Sequence, residues 1–297
     1  MRALRQDDAD FPRELLLVEK PPEAIYALGD LSLLQRPRVA IIGSRQPSPY
    51  GIRAAYEAAR ALAGQGMTVI SGMAIGLDAR AHRGALDAGG GTVAVLGCGV
   101  DVDYPLTNRS LLAETRAKGL VLSEYPPGAA MRPWHFPARN RIIAGLAQCL
   151  LVVEGRVKGG TSNTVKWAGD LGIKILAIPG HIDDELAEGP NLLIHEGAGI
   201  YLHPNDVLRR FALPLLPEHD APAVRVRAGV AAAAERHAEL SGAEATLYDL
   251  ITPAPAHVDT LMIRSAIEPG LLLAALSSLE LQGLVTQLPG KHFALAS

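Results

Sequence analysis

Three arginines and two large aromatics crowd one short segment, Met131-Arg132-Pro133-Trp134-His135-Phe136-Pro137-Ala138-Arg139-Asn140-Arg141. Phosphates attract cations and unpaired bases stack on flat rings, so this mixture suits a single nucleic-acid strand. Trp134 and Phe136 either pack the segment against its domain or stack on bases. With aromatics at only 4% of the chain, Phe136 is favoured as functional. A second candidate is Gly43-Ser44-Arg45, in which glycine admits close approach, the serine hydroxyl donates, and arginine offers a bidentate fork. A third, Lys158-Gly159-Gly160-Thr161, sets a cation, two glycines and a hydroxyl before a helical pattern, where free backbone N–H groups attract anions. Ser71-Gly72-Met73-Ala74-Ile75-Gly76-Leu77-Asp78 places two more glycines at a helix start, so Gly72 joins the phosphate-cradle candidates, with Asp78 as an N-cap. His82 reads as a structural hydrogen-bond partner rather than a catalytic base.

These residues need elements to bring them together. Short apolar runs recur at 39–42, 67–70, 92–96, 120–122, 149–153 and 174–178 without polar alternation, as expected of strands buried on both faces of a parallel sheet. Helical patterns lie between them; Ile52, Tyr56, Ala59 and Leu62, for instance, share one face. The expected fold class is therefore α/β, a doubly wound Rossmann-like parallel sheet, whose ligands bind beyond the carboxyl ends of the strands. All the candidate segments follow strands. Residues 1–37 read as a lead-in, 38–212 as the α/β domain, and 213–240, rich in proline, charge and alanine, as a linker. In 241–297, helical patterns at 243–251, 258–267 and 269–282 precede a hairpin of 284–288 and 292–295. Three helices and a hairpin suggest a small winged-helix domain.

Bulk properties exclude several classes. A net charge of −3 over 297 residues gives no global basic field, so any nucleic-acid site must be local. The tail is acidic on balance, Arg264 and Lys291 facing five carboxylates. Cys98 and Cys149 lack metal-ligand or disulfide-framework spacing and read as buried thiols; no metal site is expected. Neither a signal core nor a run long enough to span a bilayer is present, so no membrane partner is expected and the cytoplasm is the expected location. GxxxxGK[ST] is absent, and Gly97-Cys98-Gly99 lacks the third glycine of a dinucleotide fingerprint, so no cofactor is expected. Phosphoribohydrolases of a related fold use PGGxGTxxE; aligned on Gly159 and Gly160, that motif puts Ser162, Asn163 and Lys166 at its later positions. Its carboxylate is missing, and no catalytic residues are expected.

Taken in order, GSRxxSxYG (43–51), SGMAxGxDxxAHxGAL (71–86), GCGVDVxYPxxN (97–108), SEYPPG (123–128), FPxRNRIIAGL (136–146) and GPNxLIxxGA (189–198) resemble the DprA/Smf DNA-processing family. The resemblance implies a Rossmann-like domain that binds single-stranded DNA, recruits the RecA recombinase and acts in natural transformation, with a winged-helix tail and a homodimeric state. It maps DNA-binding roles onto Gly43, Ser44 and Arg45, onto Arg132, Phe136, Arg139, Asn140 and Arg141, and onto the lysine-glycine turn of Lys158, Gly159 and Gly160. Over 159–164, Gly159-Gly160-Thr161-Ser162-Asn163-Thr164, the chain departs from the family's usual sequence. Many members carry a further N-terminal helical domain, for which residues 1–37 are too few.

Overall fold

The computed structural model describes residues 1–217, 240, 242–251, 256–282, 284–288 and 290–295. The chain divides into two compact units, Met1–Ala221 and Pro222–Ser297.

The first unit is built on nine strands: β1 (Arg2–Arg5), β2 (Ala24–Gly29), β3 (Arg38–Ile42), β4 (Thr68–Ser71), β5 (Gly91–Leu96), β6 (Leu120–Ser123), β7 (Cys149–Val152), β8 (Lys174–Ala177) and β9 (Gly199–Ile200). Their spatial order is β1-β2-β6-β5-β4-β3-β7-β8-β9. All pairs from β6 to β9 are parallel. Each of the six apolar runs in the sequence became one of these strands. Among the described residues of this unit the α-helices are α1 (Pro49–Gly64), α2 (Leu77–Asp87), α3 (Arg109–Lys118), α4 (His135–Leu146), α5 (Gly160–Asp170), α6 (Glu188–His195) and α7 (Asn205–Leu208).

Alternation along β3 shows why both faces are covered. Val39 and Ile41 pack with Ala55, Leu62 and Ala81 of α1 and α2, whereas Ala40 and Ile42 pack with Ile142 and Ile143 of α4. Each of the Val, Ile and Leu side chains among these, once buried, contributes about 1.5–3 kcal/mol. The chain winds from β3 outward to β6, then crosses back to lay β7 on the other side of β3. The helices that follow these two central strands therefore leave toward opposite faces, α1 on one and α5 on the other. A crevice opens between them at the strands' carboxyl ends, as the topology of doubly wound sheets requires.

Two boundaries differ from expectation. Residues 1–37 are part of the sheet: β1 pairs with β2, and β2 pairs antiparallel with β6. Phe11, Leu15 and Val18 are buried beneath α4. Apolar runs at 15–18 and 24–28 lie in this stretch, but its two strands pair antiparallel and so stand outside the parallel strand-helix alternation that marks the rest of the domain. At the other end, Leu213 and Leu216 still pack on the α/β core, and Asn205 exchanges two hydrogen bonds with Leu216 at 2.9 and 3.0 Å. The rest of the expected linker, from 218 to 239, lies outside the described residues.

The second unit contains α8 (Gly242–Leu250), β10 (Ala256–His257), α9 (Val258–Ser265), α10 (Pro269–Leu281), β11 (Val285–Leu288) and β12 (His292–Leu295). Its small sheet runs β10-β12-β11, the arrangement of a winged helix. Glu268 caps α10 by accepting from the N–H groups of Gly270 and Leu271, with Pro269 at the first helical position. Leu247, Leu261, Leu272, Leu276, Leu279 and Phe293 form its core. Gly283, which follows the helical pattern of 269–282 and whose residue type suits a helix stop, lies outside the described residues.

Candidate nucleic-acid interface

At the switch point between β3 and β7 lies a cleft of about 1220 Å³, lined by Gly43, Ser44, Arg45, Phe136, Arg139, Asn140 and the turn from Lys158 to Thr161. Three sequence segments far apart in the chain thus meet at one sheet edge. The turn after β7 runs into α5, whose first turn holds no acidic residue. Gly159 and Gly160 are exposed, leaving the start of this helix open to an anion. Lys158 is also exposed, and Arg45 lies over the Phe136 ring, 4.4 Å from its centroid, instead of on a carboxylate.

Two neighbouring helix starts, those of α1 and α2, are already served by the protein's own carboxylates. Buried Glu154, at the end of β7, accepts from the backbone N–H of Ser48 at 3.0 Å and from its hydroxyl, at the cap of α1. The protein thus supplies its own anion to α1. Asp78 sits in the first turn of α2, not at its cap, and accepts from the N–H groups of Gly72 at 3.1 Å and Ala74 at 3.3 Å. Between them, Met73 is held at φ 56°, its N–H on His82 Nε2 and its carbonyl on the Asn108 amide. His82 is fully buried, with Nδ1 2.7 Å from Thr92 Oγ1. Burial pushes its pKa down to about 3, so the ring is neutral and structural, as its sequence context suggested. Gly76, at φ 91°, permits the two loops to touch: a Cβ there would stand 2.4 Å from the Ser44 carbonyl oxygen.

Three expectations need correcting here. Gly72 does not offer its amide to a phosphate, because Asp78 takes it. The residue is glycine because the Arg139 guanidinium rests on it; a Cβ would lie 2.4 Å from an Arg139 nitrogen. Arg139 is itself only 4% exposed and donates to the carbonyls of Gly72 and Val95. Burial pulls its pKa to about 10, so it remains charged and acts as a fixed positive floor, not as a mobile phosphate clamp. Arg141 points elsewhere and makes a bidentate pair with Glu124 at 2.7 and 2.9 Å. That pair is largely buried, and Arg141 does not line the cleft. The physical reason is that residues 135–146 form a helix, so alternate faces of the arginine-aromatic segment turn inward and outward. Phe136, Arg139, Asn140 and Ile143 face the cleft. Arg132 does not line it; the side chain lies 5.4 Å from the Trp134 ring, which is 61% exposed.

The comparisons with known proteins agree with this architecture. The profile described as DNA recombination-mediator protein A matches residues 2–212, and the one described as the DprA winged helix domain matches residues 231–291. The chain belongs to the DNA recombination-mediator protein A family. Protein Smf of Synechocystis is 36% identical over 98% of this chain and 79% of its own length. The X-ray structure of DNA processing protein A from Streptococcus pneumoniae matches with a TM-score of 0.68 at 38% identity, covering 72% of this chain and 75% of that one. DNA processing protein A from Helicobacter pylori, described for its unique single-stranded DNA binding mode, matches with a TM-score of 0.65 at 28% identity, over 71% and 96% of the two chains.

This member of the recombination-mediator family also lines its cleft with residues that the sequence did not single out. Asp183, Asp184 and Glu185 form an acidic wall opposite the cations, and Glu185 pairs with Arg156. The loop is fastened to the end of β7 by main-chain bonds, Gly155 N–H to Leu186 O at 2.7 Å and Gly189 N–H to Gly155 O at 2.9 Å. No spacing rule links residues 183–185 to Lys158; only the fold brings them together. Gln46 and Asn163 line the cleft too. The face of Arg139, by contrast, was readable: His135, Arg139, Ile142, Ile143 and Leu146 follow helical periodicity and are all buried. Among the described residues no group of side chains is suited to hold a metal ion, and no single helix is long and apolar enough to cross a membrane.

Proposed function

We propose that the cleft binds single-stranded DNA, and that this recombination mediator protects incoming strands and loads RecA onto them in the cytoplasm, as a homodimer, during natural transformation or DNA repair. One observation carries the reading: at the switch point, an unoccupied helix start, the exposed cation of Lys158 and an arginine-capped aromatic ring converge on one open cleft. Phosphates bind the α5 amides, Arg45 and Lys158, with Ser44, Asn140 and Thr161 as polar partners, while Phe136 stacks against bases. Arg139 adds positive potential from below. The contacts address backbone and ring faces, so sequence preference is weak. Duplex DNA hides its base faces, which leaves Phe136 without a partner. Membership of the recombination-mediator family supports the RecA and homodimer assignments. In the winged-helix unit, α10 holds neither lysine nor arginine. That unit therefore acts through contacts with other proteins.

A salt titration of single-strand binding, run with wild type and Arg45→Glu in the presence of a duplex competitor, tests this. Wild-type affinity falls linearly in log–log form as counterions are released. The charge reversal weakens binding at least about tenfold, the loss expected for one charge-assisted contact. Equal affinities of the two proteins would remove the cleft from consideration.

A further inference from the structure

Beside the cleft lies a second, shallow depression of about 50 Å³ that shares Arg45, Ala74, Phe136 and Arg139 with it. Its remaining walls are nearly all apolar: Met73, Ile75, Leu96, Cys98, Tyr104, Pro105 and Met131. Two of these side chains stand out toward solvent, Ile75 at 49% and Tyr104 at 38% exposure. The Tyr104 ring is 5.9 Å from that of Phe136, tilted by 51°. The two rings therefore do not cover each other face to face, and a planar group can lie against Tyr104 while Phe136 is also engaged.

The frame around this depression is fixed. Asn108 donates to the carbonyls of both Met73 and Ala74, at 3.0 and 3.1 Å, tying the Tyr104 segment to the loop after β4. That loop is in turn pinned by Asp78 and His82. A pre-formed apolar surface loses little entropy when a ligand orders on it. Its position next to Arg45 matters equally, since a phosphate held by Arg45 places the neighbouring base within reach of this surface.

We propose that the depression is a nucleobase subsite, in which Tyr104 and Ile75 receive the base next to the one on Phe136, so that the bound strand leaves the cleft over the ends of β4 and β5. The proposal rests on the single-strand reading of the cleft. Burial of a base against an aromatic face and a branched aliphatic is sequence-tolerant, because every base has the same two faces to offer.

The test compares wild type, Tyr104→Ala and Tyr104→Phe on two probes of equal length, an oligothymidylate and a strand of the same phosphates whose internal positions are abasic. Tyr104→Ala is expected to lose about fivefold or more on the base-bearing probe. On the abasic probe it stays level with wild type, and Tyr104→Phe matches wild type on both. Unchanged affinity of Tyr104→Ala for oligothymidylate would overturn the subsite and leave the cleft intact. An equal loss on both probes, or a loss in Tyr104→Phe comparable to that in Tyr104→Ala, would also overturn it, since neither is explained by stacking. If wild type binds neither probe, the reading of the cleft itself fails. Thermal midpoints of both variants report on the fold independently.

Discussion

The loops after β4 and β7 look alike on paper, each rich in glycine and leading into a helix, yet the fold uses them in opposite ways. After β4, the amides of Gly72, Met73 and Ala74 are consumed by Asp78 and His82, and the Gly72 carbonyl by Arg139. After β7, Gly159 and Gly160 are exposed, and the Gly159 N–H finds only a long 3.4 Å contact with Ser162. One loop is a closed brace and the other an open cradle. The difference lies in the residues downstream: a buried carboxylate and an imidazole within the first two turns of α2, against Ser162, Asn163 and Lys166 in α5. A glycine-rich helix start binds an external anion only where the chain has not furnished an internal acceptor.

Removing the internal acceptor is the most severe way to break this contrast. Asp78→Ala strands the buried N–H of Gly72 and the partly buried one of Ala74, and deprives the Arg139 charge of an opposing carboxylate. Chemical denaturation is expected to show a loss of roughly 2 to 5 kcal/mol. A stability equal to wild type would mean that the β4 loop does not depend on Asp78.

The imidazole leaves a pH signature. The folded-state pKa of His82, about 3, lies below its ordinary 6.5. Below pH 6.5 the unfolded chain therefore takes up a proton that the folded protein refuses. Stability from this group is complete above that pH and declines as pH falls, by at most about 1.4 kcal/mol per unit. Between pH 7 and 5 the wild type is expected to lose about 2 kcal/mol more than His82→Gln. Parallel pH profiles for the two proteins would remove His82 from the brace.

Smaller effects are expected at the open cradle, and they concern affinity instead of stability. Lys158→Ala should weaken single-strand binding about tenfold and reduce the slope of log affinity against log salt by about one, with the melting midpoint unchanged. A shifted midpoint would show Lys158 to be part of the scaffold. Glu185→Gln frees Arg156 and lightens the acidic wall, so affinity should rise about two- to threefold at low salt, since exposed pairs are weak and screened. No gain, or a loss, would show that this wall does not oppose the strand.

Apolar runs and helical periodicity placed six central strands and the winged-helix elements to within a few residues, because burial on both faces of a parallel sheet demands unbroken Val, Ile and Leu, and such runs are visible one residue at a time. The same local signals missed β1 and β9, short edge strands with exposed residues, and β2, whose apolar run at 24–28 pairs antiparallel on both sides and so stands outside the parallel alternation. The family motifs at 43–45, 136–140 and 158–161 likewise converge on one sheet edge. What the sequence could not assign was the role of each cation within it. Arg45, Arg139 and Arg141 are the same residue type in neighbouring motifs, yet one caps a ring at the cleft, one is buried as its floor, and one is locked to Glu124. Direction in space separates them, and direction is set by how α4 packs on the sheet. The acidic wall of 183–185 has the same origin. It meets Lys158 because β7 and β8 lie side by side in parallel, so that the loops following them open at the same end of the sheet, a tertiary arrangement that no local spacing encodes.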